Sequence, residues 1–156
     1  MTLRAELAAE LRTVLKDFKL KKPKSNKSHD FEWSGITVFE QNVPPPKLKH
    51  SDSYAPLVVV QTNTGNVSED EENINITLII QTWDDENPAQ GEDDVLNIIT
   101  RIKNYFLTNQ RLNKKYWCKR EMQWAVDAEQ NPFFDGNIVM TWEVPTCENL
   151  QEKDYV

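Results

Sequence analysis

Residues 74–83, INITLIIQTW, decide how this chain folds. Isoleucine, threonine and tryptophan favour extended backbone, and no glycine or proline interrupts the run. Near its centre Leu78, Ile79 and Ile80 put apolar side chains on both faces, the pattern of a central strand covered on both sides. Immediately upstream, LVVVQ at 57–61 is a second strand, separated from the first by TNTGNVSEDEEN. Gly65 and Asn66 supply turn chemistry there, so the two runs read as a long hairpin with an acidic tip.

Further out the pattern alternates between two periods. Residues 36–41, ITVFEQ, form a short strand stopped by Pro44, Pro45 and Pro46. Before them, Leu3, Leu7, Leu11, Val14, Leu15 and Phe18 recur at helical spacing and predict an amphipathic helix over 3–18. Pro23 and the polar run KLKKPKSNKSHD at 19–30 oppose its continuation. After the polar loop DDENPAQG, residues 92–108 open on Glu92, Asp93 and Asp94, acidic residues suited to a helix N-terminus. Val95, Ile98, Ile99, Ile102 and Phe106 give that second helix one apolar stripe. Met122, Trp124 and Val126, then Ile138, Met140, Trp142 and Val144, alternate with polar neighbours and predict two half-buried strands around EQNPFFDG. The order is helix, three strands, helix, two strands: an α+β fold with a mixed, mainly antiparallel sheet. Two amphipathic helices pack on the sheet, and long hairpins project from it. Residues 1–146 read as a single domain and 147–156 as a C-terminal tail that frays or orders on binding.

With 156 residues the chain is long enough for a core without staples. Its net charge of −7 repels phosphate backbones, which argues against specific nucleic-acid recognition and against anionic membranes. No apolar run is long enough to span a bilayer, and the N-terminal helix carries Glu6, Glu10 and Asp17, unlike a targeting peptide. The protein is expected to remain in the cytoplasm where it is made.

Motifs for chemistry are few. His29 and His50 sit in polar connections with no ligand at metal spacing, so no metal site is expected. Cys118 and Cys147 read as free, partly buried thiols with no base or oxyanion site beside them. Asp84, Asp85, Glu86, Glu92, Asp93 and Asp94 form the densest carboxylate cluster. They lack the alternating ligands and turn glycine of a calcium loop, and read as a solvated loop plus helix start. Neither a catalytic centre nor a cofactor is expected.

Surface features remain. Phe133 and Phe134 fall at a hairpin tip, where they either form an exposed patch or fold back over the core. Lys19, Lys21, Lys22 and Lys24 make one strongly basic stretch, and Glu69, Asp70, Glu71 and Glu72 one acidic tip. Both suit solvated loops, or a head-to-tail contact between neighbouring copies.

The element order, with WDDENPAQGEDDVLNIITRIKNYFL at 83–107 and NPFFDGNIVMTWEVP at 131–145, resembles the tail terminator proteins of long-tailed phages and related contractile tail-like particles. The likeness spans roughly Thr2 to Thr146 and leaves the basic insertion 19–30 and the tail without counterparts. It implies a virion structural protein, assembled in the host cytoplasm and not an enzyme. Such proteins form a sixfold ring on the head-proximal end of the tail tube, stop its growth and present a docking surface to the head. The implied partners are the chain itself, the tail tube protein, a head connector or neck protein and, in a contractile tail, the sheath protein. A head–tail joining or tail-completion role in the same particle is the neighbouring reading. A small divalent-ion-dependent enzyme or regulatory domain using 84–94 is the reading from another class.

Overall fold

The computed structural model describes residues 2–24, 30–43, 54–127 and 132–146. Among them are two helices and eight strands: α1 Leu3–Val14, β1 Leu20–Pro23, β2 Phe31–Ser34, β3 Thr37–Glu40, β4 Leu57–Val67, β5 Glu72–Trp83, α2 Pro88–Thr108, β6 Arg111–Leu112, β7 Tyr116–Asp127 and β8 Phe133–Val144. Strands β3–β8 form one sheet in the order β3-β4-β5-β8-β7-β6, and β1 pairs with β2 in a separate ribbon. The pairing is antiparallel except between β3 and β4, which run parallel. The fold is α+β with a mixed sheet.

Helix α1 starts where Thr2 accepts a hydrogen bond from the Ala5 N–H at 3.2 Å, a side-chain N-cap. It ends at Val14 rather than at Phe18. Leu15–Asp17 form a turn that still buries Leu15, so the apolar spacing outlasts the helix. Helix α2 starts four residues earlier than its acidic trio implied. Asn87 caps it by accepting from the Gln90 N–H, and Pro88, with no N–H to satisfy, occupies its first turn. Residues 88–91 are therefore helix rather than loop.

Both helices cover the same face of the sheet. There Val58 and Val60, Ile76, Leu78 and Ile80, and Ile138, Met140 and Trp142 meet Leu7, Leu11, Val95, Ile98, Ile102 and Phe106 in one core. Phe106 stands edge-to-face on Trp142 at 5.4 Å between centroids. Two glycines permit this close approach of layers. A Cβ on Gly91 would lie 2.3 Å from the Phe134 ring, and one on Gly136 would lie 2.5 Å from Val95. Tyr105 on α2 donates a hydrogen bond to Glu10 on α1, which pushes its hydroxyl pKa up to about 12.

Strand β5 is central, as its sequence implied, and its second face is covered only in part by the described residues, with Leu57, Val59 and Trp83 buried there. Ile76, Leu78 and Ile80 are buried under the helices, while Ile79 points to the other face and is half-buried. No described helix lies on that face. A cavity of about 530 Å3 runs over it, floored by Leu57, Val59 and Ile79 and rimmed by Gln81, Asp135 and Asn137.

The turn between β4 and β5 also differs from expectation. Gly65 and Asn66 are strand residues, paired with Ile74 and Asn73. The reversal falls at Ser68–Glu71, where the Ser68 N–H donates to Glu71 O and the Ser68 hydroxyl accepts from the Glu71 N–H. A serine at the first turn position can make this local bond, and glycine is not required.

Candidate interaction surfaces

The basic stretch is half strand. Lys21 pairs across the ribbon with Trp33 and Lys22 with Glu32. Strand β1 packs against β5, and Lys21 anchors it there. The Lys21 Nζ lies 3.3 Å from Asp84 Oδ2, 3.4 Å from Oδ1 and 4.8 Å from the centroid of the Phe31 ring. Asp84 is fully buried, and its Oδ1 also accepts the backbone N–H groups of Glu86 and Asn87 at 3.0 and 2.9 Å. This removes Lys21 from the residues able to bind a neighbour. Lys19 and Lys24 remain exposed and Lys22 half-exposed.

The same contact revises the carboxylate cluster, which is not simply solvated. An ammonium group occupies the position a cation would take at Asp84, and Asp94 is buried on α2. Among the described residues no group of three or more His, Cys, Asp or Glu side chains could hold a metal ion. His29, His50 and Pro44–Pro46 lie outside the described residues, as does Cys147. Cys118 is fully buried rather than partly so, and burial pushes its thiol up to about 12.

Burial raises the Asp94 carboxyl above its ordinary 3.8, with Asp84 and Asp93 adding to the effect against a hydrogen bond from Gln90. The folded chain thus holds this proton more tightly than the unfolded chain. The contribution of this group to stability is complete at low pH and declines as pH rises through 3.8 toward the raised value. Asp94→Asn keeps an acceptor for Gln90 and abolishes the decline. Thermal melts should show equal midpoints for variant and wild type at pH 3, and a higher one for the variant at pH 7. A lower midpoint at pH 7 would reverse the sign and refute the argument.

At the acidic turn, Glu71 is also engaged within the chain. Lys119 Nζ approaches its Oε1 at 2.7 Å, and Asn73 donates to the same oxygen at 2.9 Å. The lysine bond, followed by that of Asn73, holds the Glu71 carboxyl below the usual range. Glu69 and Asp70 are exposed, while Glu72 belongs to β5 and is half-buried. The acidic turn precedes β5 and the Lys21–Asp84 anchor follows it. Twelve residues of strand therefore separate the two charged features, about 36 Å at roughly 3.3 Å per residue.

Of the two courses open to it, Phe134 takes the second. It is 2% exposed and packs against Gly91, so it belongs to the core. Its neighbour Phe133, on the opposite side of β8, is only half-buried. The two are not a tip patch: alternation along the strand sends them to opposite faces.

The exposed aromatics lie elsewhere. Trp33, Trp124 and Trp117 are 64%, 49% and 41% exposed, so three of the five tryptophans face outward. Trp33 stands edge-to-face on Phe31 in the ribbon, and Arg111 stacks over Trp117 at 5.7 Å. Nothing in the sequence set Trp124 apart from Met122 and Val126, whose alternation it shares. Its exposure follows from β7 lying near the sheet edge.

No protein-family model and no curated protein matches the chain. No described helix is long and apolar enough to cross a membrane.

Proposed function

We propose that this chain is a structural assembly subunit of the tail terminator kind. Copies join in a ring, sixfold as the sequence resemblance implies, on the head-proximal end of a tail tube. The ring halts tube growth and offers a surface to the head connector. The observation that carries the reading is the polarity of the subunit. A ribbon with Lys19, Lys22, Lys24 and the exposed Trp33 lies at one end, and Glu69 and Asp70 at the other, about 36 Å away along β5. Unlike ends suit a cap that meets different partners on its two sides, the tube on one and the head connector on the other.

In this reading the basic ribbon meets a partner outside the ring. Lys22→Glu with Lys24→Glu should weaken tube capping about tenfold at low salt, since each exposed ion pair contributes roughly 0.2–1 kcal/mol. The mass of the ring by light scattering should not change. Electron microscopy of gold-labelled protein mixed with tail tubes from the same source tests the role itself. Label confined to one tube end, with elongation halted there, is the expected result. Label absent from tube ends would refute the terminator role, and label on the portal side instead would make the chain a head–tail joining protein.

A further inference from the structure

The two lateral edges of the sheet are stepped, in opposite senses. Following the paired residues from strand to strand gives their heights. At one end β3 stands beside Leu57–Val60 and lies level with Trp124–Asp127 of β7. Past Thr62, which the Gln41 side chain covers, no described strand lies outside Asn63–Val67. At the other end β6 stands beside Tyr116 and Trp117, and Arg111 lies level with Asn66 of β4. No described strand lies outside Trp124–Asp127. Each edge therefore projects where the other is set back.

The projecting corner at β6 is basic. Asn113 and Lys114 have positive φ angles of 51° and 60°, a tight hairpin turn that puts Lys114 at its tip. Arg111 and Lys114 are exposed and form no ion pair among the described residues, whereas Lys115 turns back to Glu6 at 3.9 Å. The corner beside the step at Asn63–Val67 is acidic. It is the Ser68–Glu71 turn, where Glu69 and Asp70 are exposed and also form no ion pair among the described residues. Both turns lie just past the level shared by Arg111 and Asn66, at one height on the molecule.

We infer that neighbouring copies meet side to side through these corners, Lys114 and Arg111 of one against Glu69 of the next. This rests on the assembly reading above and names its lateral contact. Rotation about an axis along the middle strands moves a copy sideways without changing its height. It sets the β6–β7 turn of one copy into the step beside β4 of the next, and β3 of that copy into the step beside Trp124–Asp127 of the first. The contact is made by side chains rather than by a continued sheet. Arg12 and the Asn42 N–H already donate to the Val38 and Glu40 carbonyls of β3, at 3.0 and 2.7 Å. Within one chain Asp70 lines a cavity of about 520 Å3 together with Arg111 and Lys114, and Glu69 does not. Asp70 thus faces its own basic turn, Glu69 is left for the neighbour's, and charge alternates around that rim of the ring.

Charge exchange between copies tests the contact. Lys114→Glu and Glu69→Lys should each raise the concentration at which light scattering detects rings, by about tenfold at low salt. An equimolar mixture of the two variants should return to the wild-type concentration, because copies then alternate and every contact again joins opposite charges. A purely structural effect of either substitution would persist in the mixture, since each chain keeps its own internal neighbours. At about 1 M salt, where charges are screened beyond roughly 3 Å, variants and wild type should converge. Rings formed as readily by both single variants, or a mixture no better than its components, would overturn this contact and leave the assembly reading standing. A wild-type chain that stays single at every concentration, alone and on tail tubes, would overturn both.

Discussion

Lys21→Met is expected to destabilise the chain by roughly 3–5 kcal/mol, the cost of leaving a buried carboxylate without its counter-charge. At this chain length that corresponds to a thermal midpoint on the order of 10 °C lower. The size follows from burial. The Asp84 side chain is 0% exposed and that of Lys21 only 16%, so water can replace little of what the ammonium supplies. The Glu86 and Asn87 N–H groups do not compensate, because both already bind Oδ1, and Oδ2 accepts no hydrogen bond. Lys21→Met with Asp84→Asn should recover most of the loss, since asparagine keeps an acceptor for those N–H groups and buries no charge. Hydrogen exchange should localise the defect: the amides of β1 and β2 open faster in the single variant while β5 and β8 stay protected. A Lys21→Met midpoint within a degree or two of wild type would show that the pair is not what holds the ribbon.

The second large effect lies at Phe134. Truncation to alanine removes a fully buried ring and should cost about 3–5 kcal/mol in urea unfolding, with no loss of association beyond that due to unfolding. Gly91→Ala should also destabilise, by roughly 1–3 kcal/mol, because its Cβ would lie 2.3 Å from that ring and the ring has nowhere to go. In the Phe134→Ala background the same change should become neutral or favourable. The added methyl then enters vacated space, and alanine gains about 1 kcal/mol over glycine in a helix interior. The cycle should therefore show a coupling above about 1 kcal/mol. Strict additivity would mean that the two residues do not share the space.

Much of the fold is legible along the chain. The period of Leu3, Leu7 and Leu11, and that of Val95, Ile98, Ile102 and Phe106, place two one-sided helices correctly because a helix buries a stripe only at that spacing. Strand β8 is equally plain, with Ile138, Met140, Trp142 and Val144 all buried as their alternation implies. Boundaries were less legible. Asn87 and Pro88 are the cap and first turn of α2, yet the acidic trio that follows suits a helix start as well. Ribbon β1–β2 was hidden by its lysines, which look like a solvated run until Lys21 finds Asp84, 63 residues away.

The candidate surfaces were harder to read than the fold. Charge could be located by inspection, but not which charges were already spent. Lys21 and Glu71 are satisfied inside the chain by Asp84 and Lys119. Adjacent Phe133 and Phe134 looked like one patch because sequence proximity does not show which face of a strand each occupies. Trp124 has the pattern of a buried residue and is half-exposed, since whether a face is covered depends on where the helix lies.

By itself, then, the sequence determined the α+β class, the two amphipathic helices, most of the strands and the charged features at 19–24 and 69–72. Periodicity, turn chemistry and formal charge are local properties, written within a few residues of where they act. Only the tertiary structure decided the parallel β3–β4 pair, the partial cover of the second face of β5, and the burial of Phe134 and Asp84. Each of these depends on which distant segment comes to lie alongside, and that is set by packing of the whole chain rather than by any one stretch of it.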